Sequence, residues 1–404
     1  MRFPAAALFL AAALSAQPSL HDLESQAAAA RARGDAPAAL AAWQQAATLD
    51  PRSPRIHDEI GFLLAVLNRR DEALRSFERA LDLDPKYAPA QFHLGVAFFL
   101  ANDPAQAIPH LQSAAALAPN VFDYRFYLGQ ALNATSQFQD ALPHLAAATS
   151  LNPKSSEAWN QFGLARQRTG DTTAALECYH RAVALSPANL DARNNLGFVL
   201  VNSGRADEGL AQFEAILAAD PAHIMARVNL GFALLQKADL DRAAAQFREV
   251  LRRDPNSPIA HYDLAIALKQ KDDLDGAKTE LTLALALDPQ LAEAHYTLGI
   301  IHWQSGEFAP AAREMRAALA INPAYGEAWF MLGTALKQNG ELDGAEAALR
   351  SAIRYQPDNP GPYNTLAQLL RQKGDIDASR AVFEQGAKAK QKKEAELGRM
   401  LQKK

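Results

Sequence analysis

Residues 187 to 255 read PANLDARNNLGFVLVNSGRADEGLAQFEAILAADPAHIMARVNLGFALLQKADLDRAAAQFREVLRRDP, with Pro187 and Pro255 at the ends and Pro221 midway. The prolines lie 34 residues apart, and Asn-Leu-Gly follows each of the first two at the same distance. Prolines in the same register extend to both sides, at 51, 85, 119, 153, 187, 221, 255, 289, 323 and 357. A period of this length is typical of an array of similar units stacked side by side.

The proline period fixes a repeat frame. With proline as position 32, eleven repeats begin at residues 20, 54, 88, 122, 156, 190, 224, 258, 292, 326 and 360. Position 8 is glycine in eight repeats and alanine in the other three, and position 20 is alanine in nine. Position 24 is bulky throughout, from Trp43 and Phe77 to Phe383. Each repeat therefore carries the same pattern of small and large side chains.

This pattern predicts two helices in each repeat. Positions 4, 7, 8 and 11 fall on one face of a first helix, and positions 20, 24 and 27 fall on one face of a second. Small residues at 8 and 20 let the two backbones approach, and the large residue at 24 fills the space beside them. Glycine at position 15 in six repeats predicts a left-handed residue in the turn between the helices. The proline then ends the second helix.

The frame and its small and large positions resemble the tetratricopeptide repeat. The resemblance implies an all-α fold, a right-handed superhelical α-solenoid of antiparallel helix pairs over residues 20–391, with first helices lining a concave groove. Position 4 departs from the family pattern, because only Trp159, Trp329 and Tyr363 carry its aromatic residue. Histidine or arginine replaces it in several other repeats, so we expect the packing around position 4 to differ locally.

The N-terminus resembles an export signal. Arg2 precedes an apolar run, Phe3 to Leu14, which is followed by the small residues Ser15 and Ala16. We therefore predict a signal peptide over residues 1–16 and an extracytoplasmic location, periplasmic or secreted. The run is too short for an integral membrane span, which needs about 20 apolar residues. The alternative is a helical extension of a cytoplasmic protein.

Charge is unevenly distributed along the chain. The formal net charge is −4, yet residues 388–404 contain seven Lys or Arg against two Glu, so the preceding body is acidic. Duplex binding requires clustered basic side chains, and we therefore expect no nucleic-acid partner. Residues 392–404 are predicted to form a basic helical tail. This tail either caps the last helix, favourably for its dipole, or makes weak contact with an anionic surface.

Motifs for catalysis or metal binding are missing from the sequence. It contains no phosphate-binding loop, nucleophile elbow or metalloprotease motif, so we predict a non-catalytic protein without a cofactor. Two sets of residues share a repeat position: His110, His144 and Cys178 at position 23, and His261 with His295 at position 4. Neighbouring helices lie about 8–10 Å apart, whereas zinc ligands lie within about 2.3 Å of the ion. We therefore expect surface or packing residues and no metal site.

A second stripe on the first helices is unexpectedly apolar. Positions 2, 5, 9 and 12 lie away from the packing face, yet several carry aromatic or branched residues, with asparagines interspersed. One interpretation is packing against the next repeat; the other is an exposed groove that binds a peptide, with asparagine amides holding its backbone. The predicted partner-binding residues are Phe62, Phe99, Asn160, Asn194, Asn195, Phe198, Asn229, Phe232, Ile266, Ile300 and Trp303.

These features together predict a non-catalytic scaffold. It would bind partner peptides or proteins in its concave groove, within an exported or envelope assembly. An accessory subunit that recruits substrates for an enzyme is the first alternative. A carbohydrate-binding solenoid is less favoured, because aliphatic side chains are mixed with the aromatic ones.

Overall fold

The computed structural model describes residues 18–401, and within that range every regular element is an α-helix. The first helices of the repeats are α1 (Leu20–Ala32), α3 (Pro54–Val66), α5 (Ala88–Leu100), α7 (Phe122–Ala134), α9 (Ser156–Arg168), α11 (Leu190–Asn202), α13 (Ile224–Gln236), α15 (Pro258–Gln270), α17 (Ala292–Gln304), α19 (Gly326–Gln338) and α21 (Pro360–Gln372). The second helices are α2 (Ala36–Leu49), α4 (Arg70–Leu83), α6 (Pro104–Leu117), α8 (Phe138–Leu151), α10 (Thr172–Leu185), α12 (Ala206–Ala219), α14 (Leu240–Arg253), α16 (Leu274–Leu287), α18 (Phe308–Ile321), α20 (Leu342–Tyr355) and α22 (Ile376–Leu401).

The helices follow the repeat frame without a slip. Every first helix occupies positions 1 to 13, and every second helix begins at position 17 and ends at position 30, apart from the longer α22. The predicted all-α fold of tandem helix pairs is therefore confirmed for the described part of the chain. The predicted signal peptide lies outside the described residues.

The chain forms two compact units, one ending at Val199 and the other beginning at Leu200, within α11. In each unit, every complete helix pair is held by contacts between its own two helices, and second helices also contact the first helix that follows them, as α2 contacts α3 and α14 contacts α15. A hairpin thus buries part of its apolar surface internally and the rest against a neighbour, as expected for a repeat array.

Position 8 and position 24 form the centre of each hairpin. A Cβ atom on Gly129 would lie 2.5 Å from both Cγ and Cδ2 of Leu145, so the leucine occupies the space that glycine leaves open. Glycine also brings the backbones together, since a Cβ on Gly95 would lie 3.2 Å from the carbonyl oxygen of Ala107 at position 20. The contact between positions 8 and 24 recurs in the pairs Gly61 and Phe77, Gly95 and Leu111, Gly163 and Tyr179, Gly231 and Phe247, Gly299 and Met315, and Gly333 and Leu349.

The turn between the two helices requires a left-handed residue in every repeat. Glycine has positive φ at position 15 in the six repeats where it occurs, which confirms the predicted turn. The other five repeats place a residue with a side chain in the same conformation: Asn68, Asn102, Ser136, Ala238 and Asp272, with φ between 57° and 64°. Alanine is the least suited of these, because it has a Cβ atom but no polar group to hydrogen-bond locally.

Ala238→Gly is expected to stabilise the protein by about 0.5–1 kcal/mol, because it relieves the left-handed strain, φ 57°, more than it increases backbone freedom. Urea unfolding followed by circular dichroism measures the change. Ala211→Gly, at an exposed position inside α12, is the matched control. It should destabilise by about 1 kcal/mol, because its backbone is helical. A destabilising effect of both glycines would contradict this account of the turn.

Position 4 is chemically varied but structurally uniform. In ten repeats its side chain forms a hydrogen bond to the carbonyl oxygen of the proline six residues earlier, at distances from 2.7 to 3.3 Å. Indole, imidazole, amide, guanidinium and phenol groups all form this hydrogen bond. The residues are His57, Gln91, Arg125, Trp159, Arg193, Arg227, His261, His295, Trp329 and Tyr363. The sequence predicted that packing around position 4 would differ between repeats. The side chain does differ, but its hydrogen bond to the proline carbonyl is the same in these ten repeats.

The helix α22 continues 12 residues beyond position 30, which is Ala389. Its first part packs on α21, where Gly386 sits against Tyr363 and Ala389 is buried. Lys392 Nζ then donates to Asp358 Oδ1 at 2.7 Å. The basic end of the chain is therefore helical up to Leu401, and this ion pair joins it to the turn between α20 and α21.

Candidate functional site

The aromatic members of the predicted stripe in the first unit are partly covered by neighbouring repeats. Phe62 is half-buried, with the Arg31 guanidinium 4.7 Å from its ring centroid and the His93 ring 5.4 Å away. Phe99 is also half-buried and makes an edge contact with Tyr127 at 6.2 Å. Both rings thus serve inter-repeat packing and offer only part of their surface to a ligand.

The predicted asparagines of this unit also contact each other. Asn160 is buried, and its Oδ1 accepts a hydrogen bond from Asn195 Nδ2 at 3.0 Å. Asn194 and Asn195 are half-buried. In contrast, Phe198 has 45% of its surface exposed and is the most accessible of the predicted residues in this unit. Sequence reasoning therefore placed Asn160 at the surface, whereas the structure places it inside the helix stack.

The second unit exposes more of its predicted stripe. Phe232 is 41% exposed on one side and packs edge-on against Phe247 on the other, with ring centroids 5.6 Å apart. Asn229, Ile266, Ile300 and Trp303 are half-buried. Unit 2 therefore combines one accessible aromatic ring with a partly covered aliphatic surface.

Two exposed residues of the same stripe had not been singled out from the sequence. Met225 and Ile259 stand at position 2 of consecutive repeats and are 58% and 51% exposed. Met225 lies two helical turns before Phe232 on α13, and Ile259 has the same relation to Ile266 on α15. We call these four residues the apolar patch. The sequence signal was present, because position 2 carries an acidic residue in five other repeats.

A ladder of side-chain contacts joins neighbouring first helices at the edge of this stripe. Position 5 of one repeat bonds to position 6 of the next, as in Asp58 Oδ1 with His93 Nδ1 at 2.8 Å. Tyr262 and Thr297 are joined in the same register. Asp263 is also at position 6, but the residue in register with it is Val228, which has no polar side chain. Its Oδ2 is buried and has no hydrogen-bond partner among residues 18–401, and burial raises the pKa of the carboxyl group to about 7.

Position 12 contributes two donors without acceptors among the described residues. The half-buried Lys269 ammonium group forms no ion pair or hydrogen bond among residues 18–401, and burial lowers its pKa. Trp303, at position 12 of the next repeat, has a buried Nε1 with no partner. A buried donor without a partner, as at Trp303, is uncommon inside proteins. Both side chains lie on the same stripe as the apolar patch and can serve a polar ligand group.

The histidines and the cysteine have structural partners. His110 Nδ1 lies 2.8 Å from Gln91 Oε1, and His144 Nδ1 accepts from Arg125 at 2.9 Å. In each case the bond joins positions 4 and 23 of one repeat. Burial lowers the pKa of both imidazoles, and the Arg125 charge adds to this effect at His144. Among the described residues, no group of three or more His, Cys, Asp or Glu could hold a metal ion.

The remaining members of these sets are also held within the repeat. His261 contacts Glu280 Oε2 at 2.6 Å, and His295 contacts Glu314 Oε2 at 2.8 Å. Cys178 is buried, and this burial raises the pKa of its thiol to about 11. A thiol in this state is a poor nucleophile at neutral pH.

Comparison with known proteins agrees with this architecture. Three family models, each described as a tetratricopeptide repeat, match residues 117–290, residues 61–121 with 296–362, and residues 338–403. The chain belongs to the tetratricopeptide repeat family. A search of curated protein sequences gives no match.

Solved structures are also similar to this chain. A protein from Parabacteroides merdae is 16% identical, with a TM-score of 0.51 over 62% of this chain and 98% of its own. Yeast Tom70 is 15% identical, with a TM-score of 0.49 over 95% of this chain and 94% of its own. YrrB, described as having an unusual peptide-binding site, is 24% identical over 46% of this chain and 95% of its own, with a TM-score of 0.43.

One further property concerns membranes. Within residues 18–401 of this tetratricopeptide repeat chain, no helix combines the length and apolar character needed to cross a bilayer.

Proposed function

We propose that the protein is a non-catalytic scaffold that binds a segment of a partner protein on its first-helix stripe. The apolar patch carries this proposal. Met225, Phe232 and Ile259 expose between 41% and 58% of their surface on two successive first helices. Exposed apolar residues that cluster in this way mark interaction surfaces, since burying them against a partner is favourable.

The partner segment should present apolar side chains at a spacing that matches the patch. Equivalent positions on neighbouring first helices lie about 8–10 Å apart, whereas Met225 and Phe232 are seven residues apart on one helix. A helix or an extended strand laid across α13 and α15 can span both distances.

The triple variant Met225→Ser, Phe232→Ser, Ile259→Ser is expected to weaken partner binding at least about ten-fold, because three apolar contacts are lost. The measurement is quantitative capture of partners from an extract of the native host by wild-type and variant protein, followed by titration of the captured partner. The matched control changes Leu283, Leu287 and Tyr355 to serine. These residues are 42% to 44% exposed but lie on second helices.

The two variants distinguish a specific surface from general stickiness. If the control variant loses the partner while the stripe variant retains it, the proposed surface is wrong. Circular dichroism of both variants checks that the helices are intact.

We also propose that the scaffold acts outside the cytoplasm. Support comes from Arg2 followed by the apolar run from Phe3 to Leu14 and by Ser15 and Ala16. N-terminal sequencing of the protein isolated from its native cells tests this. A mature chain beginning near Ala16 or Gln17 in the envelope or secreted fraction is expected, and an intact Met1 in the cytosol would contradict it.

A further inference from the structure

Position 24 is buried in ten repeats and exposed in one. From Trp43 to Leu349 the residue at this position exposes at most 7% of its surface, whether it is aromatic, leucine or methionine. Phe383, at position 24 of the eleventh repeat, exposes 59%. Phe383 has the same position on its second helix as the other ten residues. The difference in exposure therefore arises from the helix that packs over the residue.

In earlier repeats the cover is the first helix of the next repeat. The Arg55 guanidinium of α3 lies 5.2 Å from the Trp43 ring centroid, and the His93 ring of α5 lies 5.5 Å from that of Phe77. In the eleventh repeat no described helix takes this place. The result is an open cleft of about 670 Å³, which we call the terminal face. It is lined by Asn364, Ala367, Gln368, Arg371, Ile376, Ser379, Arg380 and Phe383.

Charged residues near position 24 form ion pairs with the repeat that covers it. Position 18 carries Asp207, Asp241 and Asp343, and each pairs with a lysine at position 14 of the following repeat. Position 21 carries Lys278, which pairs with Glu307 at position 16 of the following repeat at 3.1 Å. Position 25 carries Glu214, which pairs with Arg242 at position 19 of the following repeat at 2.8 Å. Each hairpin thus meets opposite charges on its neighbour.

The eleventh repeat presents the same three charged positions. Asp377, Arg380 and Glu384 stand at positions 18, 21 and 25, and none has an ion-pair partner among residues 18–401. Around Phe383 they repeat the arrangement of Asp207, Phe213 and Glu214 in the sixth repeat. That arrangement is covered by the seventh repeat, which supplies Lys237 and Arg242.

We infer that the terminal face binds a helical hairpin of a partner protein, which stacks on α21 and α22 as an additional repeat. Its first helix covers Phe383. Its turn carries a basic residue opposite Asp377 and an acidic residue opposite Arg380, and its second helix begins with a basic residue opposite Glu384. This surface is separate from the apolar patch, so one protein can hold two partners.

A second copy of this chain is a poor occupant. Head-to-tail stacking would place α1 on the terminal face, with Asp22 at position 3 and Gln26 at position 7. Position 3 is a buried alanine in seven other repeats, and position 7 is a buried apolar residue in all the others. Stacking α1 there would bury the Asp22 carboxylate among apolar groups, which is costly.

The probe is a fluorescein-labelled synthetic peptide of residues 224–257. This seventh repeat carries Lys237, Asp239 and Arg242 in the required order at positions 14, 16 and 19. Fluorescence anisotropy of the peptide titrated with the full chain should show saturable binding. Phe383→Ser should weaken it at least about ten-fold, because the complex then no longer buries the aromatic ring of Phe383. Tyr355→Ser, at a residue 42% exposed on α20, is the matched control and should leave binding unchanged.

A charge reversal tests the register. Asp377→Lys with Glu384→Lys should weaken binding several-fold, and a peptide carrying Lys237→Glu and Arg242→Glu should restore it. Equal binding by the Phe383→Ser chain, or no rescue by the reversed peptide, would overturn the inference. Sedimentation of the unlabelled chain tests whether a second copy of the chain binds the terminal face. Self-association that Phe383→Ser abolishes would assign the face to a second copy and overturn the partner assignment.

Discussion

Asp263→Asn is expected to stabilise the protein at pH 8 by on the order of 2–4 kcal/mol, and at pH 5 by a smaller amount, on the order of 1–2 kcal/mol. Burial raises the pKa of this carboxyl group from 3.8 to about 7, so the folded state holds the proton more tightly than the unfolded chain. The stability from this proton is fully present below the unfolded pKa, near 4, and is lost as pH rises through about 7. The asparagine cannot ionise and therefore avoids the loss.

Urea unfolding at pH 5 and pH 8 measures this difference. Asp275→Asn, at an exposed residue on α16, is the control and should change stability by less than about 0.5 kcal/mol at both pH values. If Asp263→Asn destabilised equally at both pH values, the carboxylate would have a stabilising partner, and the orphaned Oδ2 would be the wrong explanation.

A double-mutant cycle at Gly129 and Leu145 should show strong coupling. Leu145→Ala is expected to cost about 3 kcal/mol, because Leu145 is fully buried and its loss leaves a cavity. Gly129→Ala should cost about 1–2 kcal/mol, because its new Cβ lies 2.5 Å from Leu145 atoms. In the double variant the added methyl enters the cavity, so the total should fall short of the sum by at least about 1 kcal/mol. Additive costs, measured by urea unfolding, would contradict the proposed complementarity.

Much of the fold could be predicted from the sequence because the array repeats its local rules. The proline period located both helices of each repeat, and the small residues at position 8 indicated where a large residue at position 24 would fit. Glycines at position 15 identified the turn. Ala238 and Asp272 adopt the same left-handed conformation, but neither residue type signals it strongly, so propensity alone missed them.

The site was harder to predict, because exposure depends on the neighbouring repeat. Phe62 lies under Arg31 and beside His93, and Asn160 is turned inward by its bond to Asn195. Neither outcome follows from the residue's own position in the frame. Met225 and Ile259 could have been found by comparing position 2 across repeats, whereas the orphaned Oδ2 of Asp263 needed coordinates.

The hydrogen bond from position 4 to the proline carbonyl makes it easier for the number of repeats to change during evolution. The acceptor is a main-chain oxygen, present whichever residue stands at position 4, and five kinds of side chain already reach it. A repeat copied or moved elsewhere in the gene would therefore meet the same acceptor at its new junction. Recombination at this period can lengthen or reorder the array, because the same hydrogen bond can form again at each new junction. The solvent-facing positions are then free to diverge in sequence.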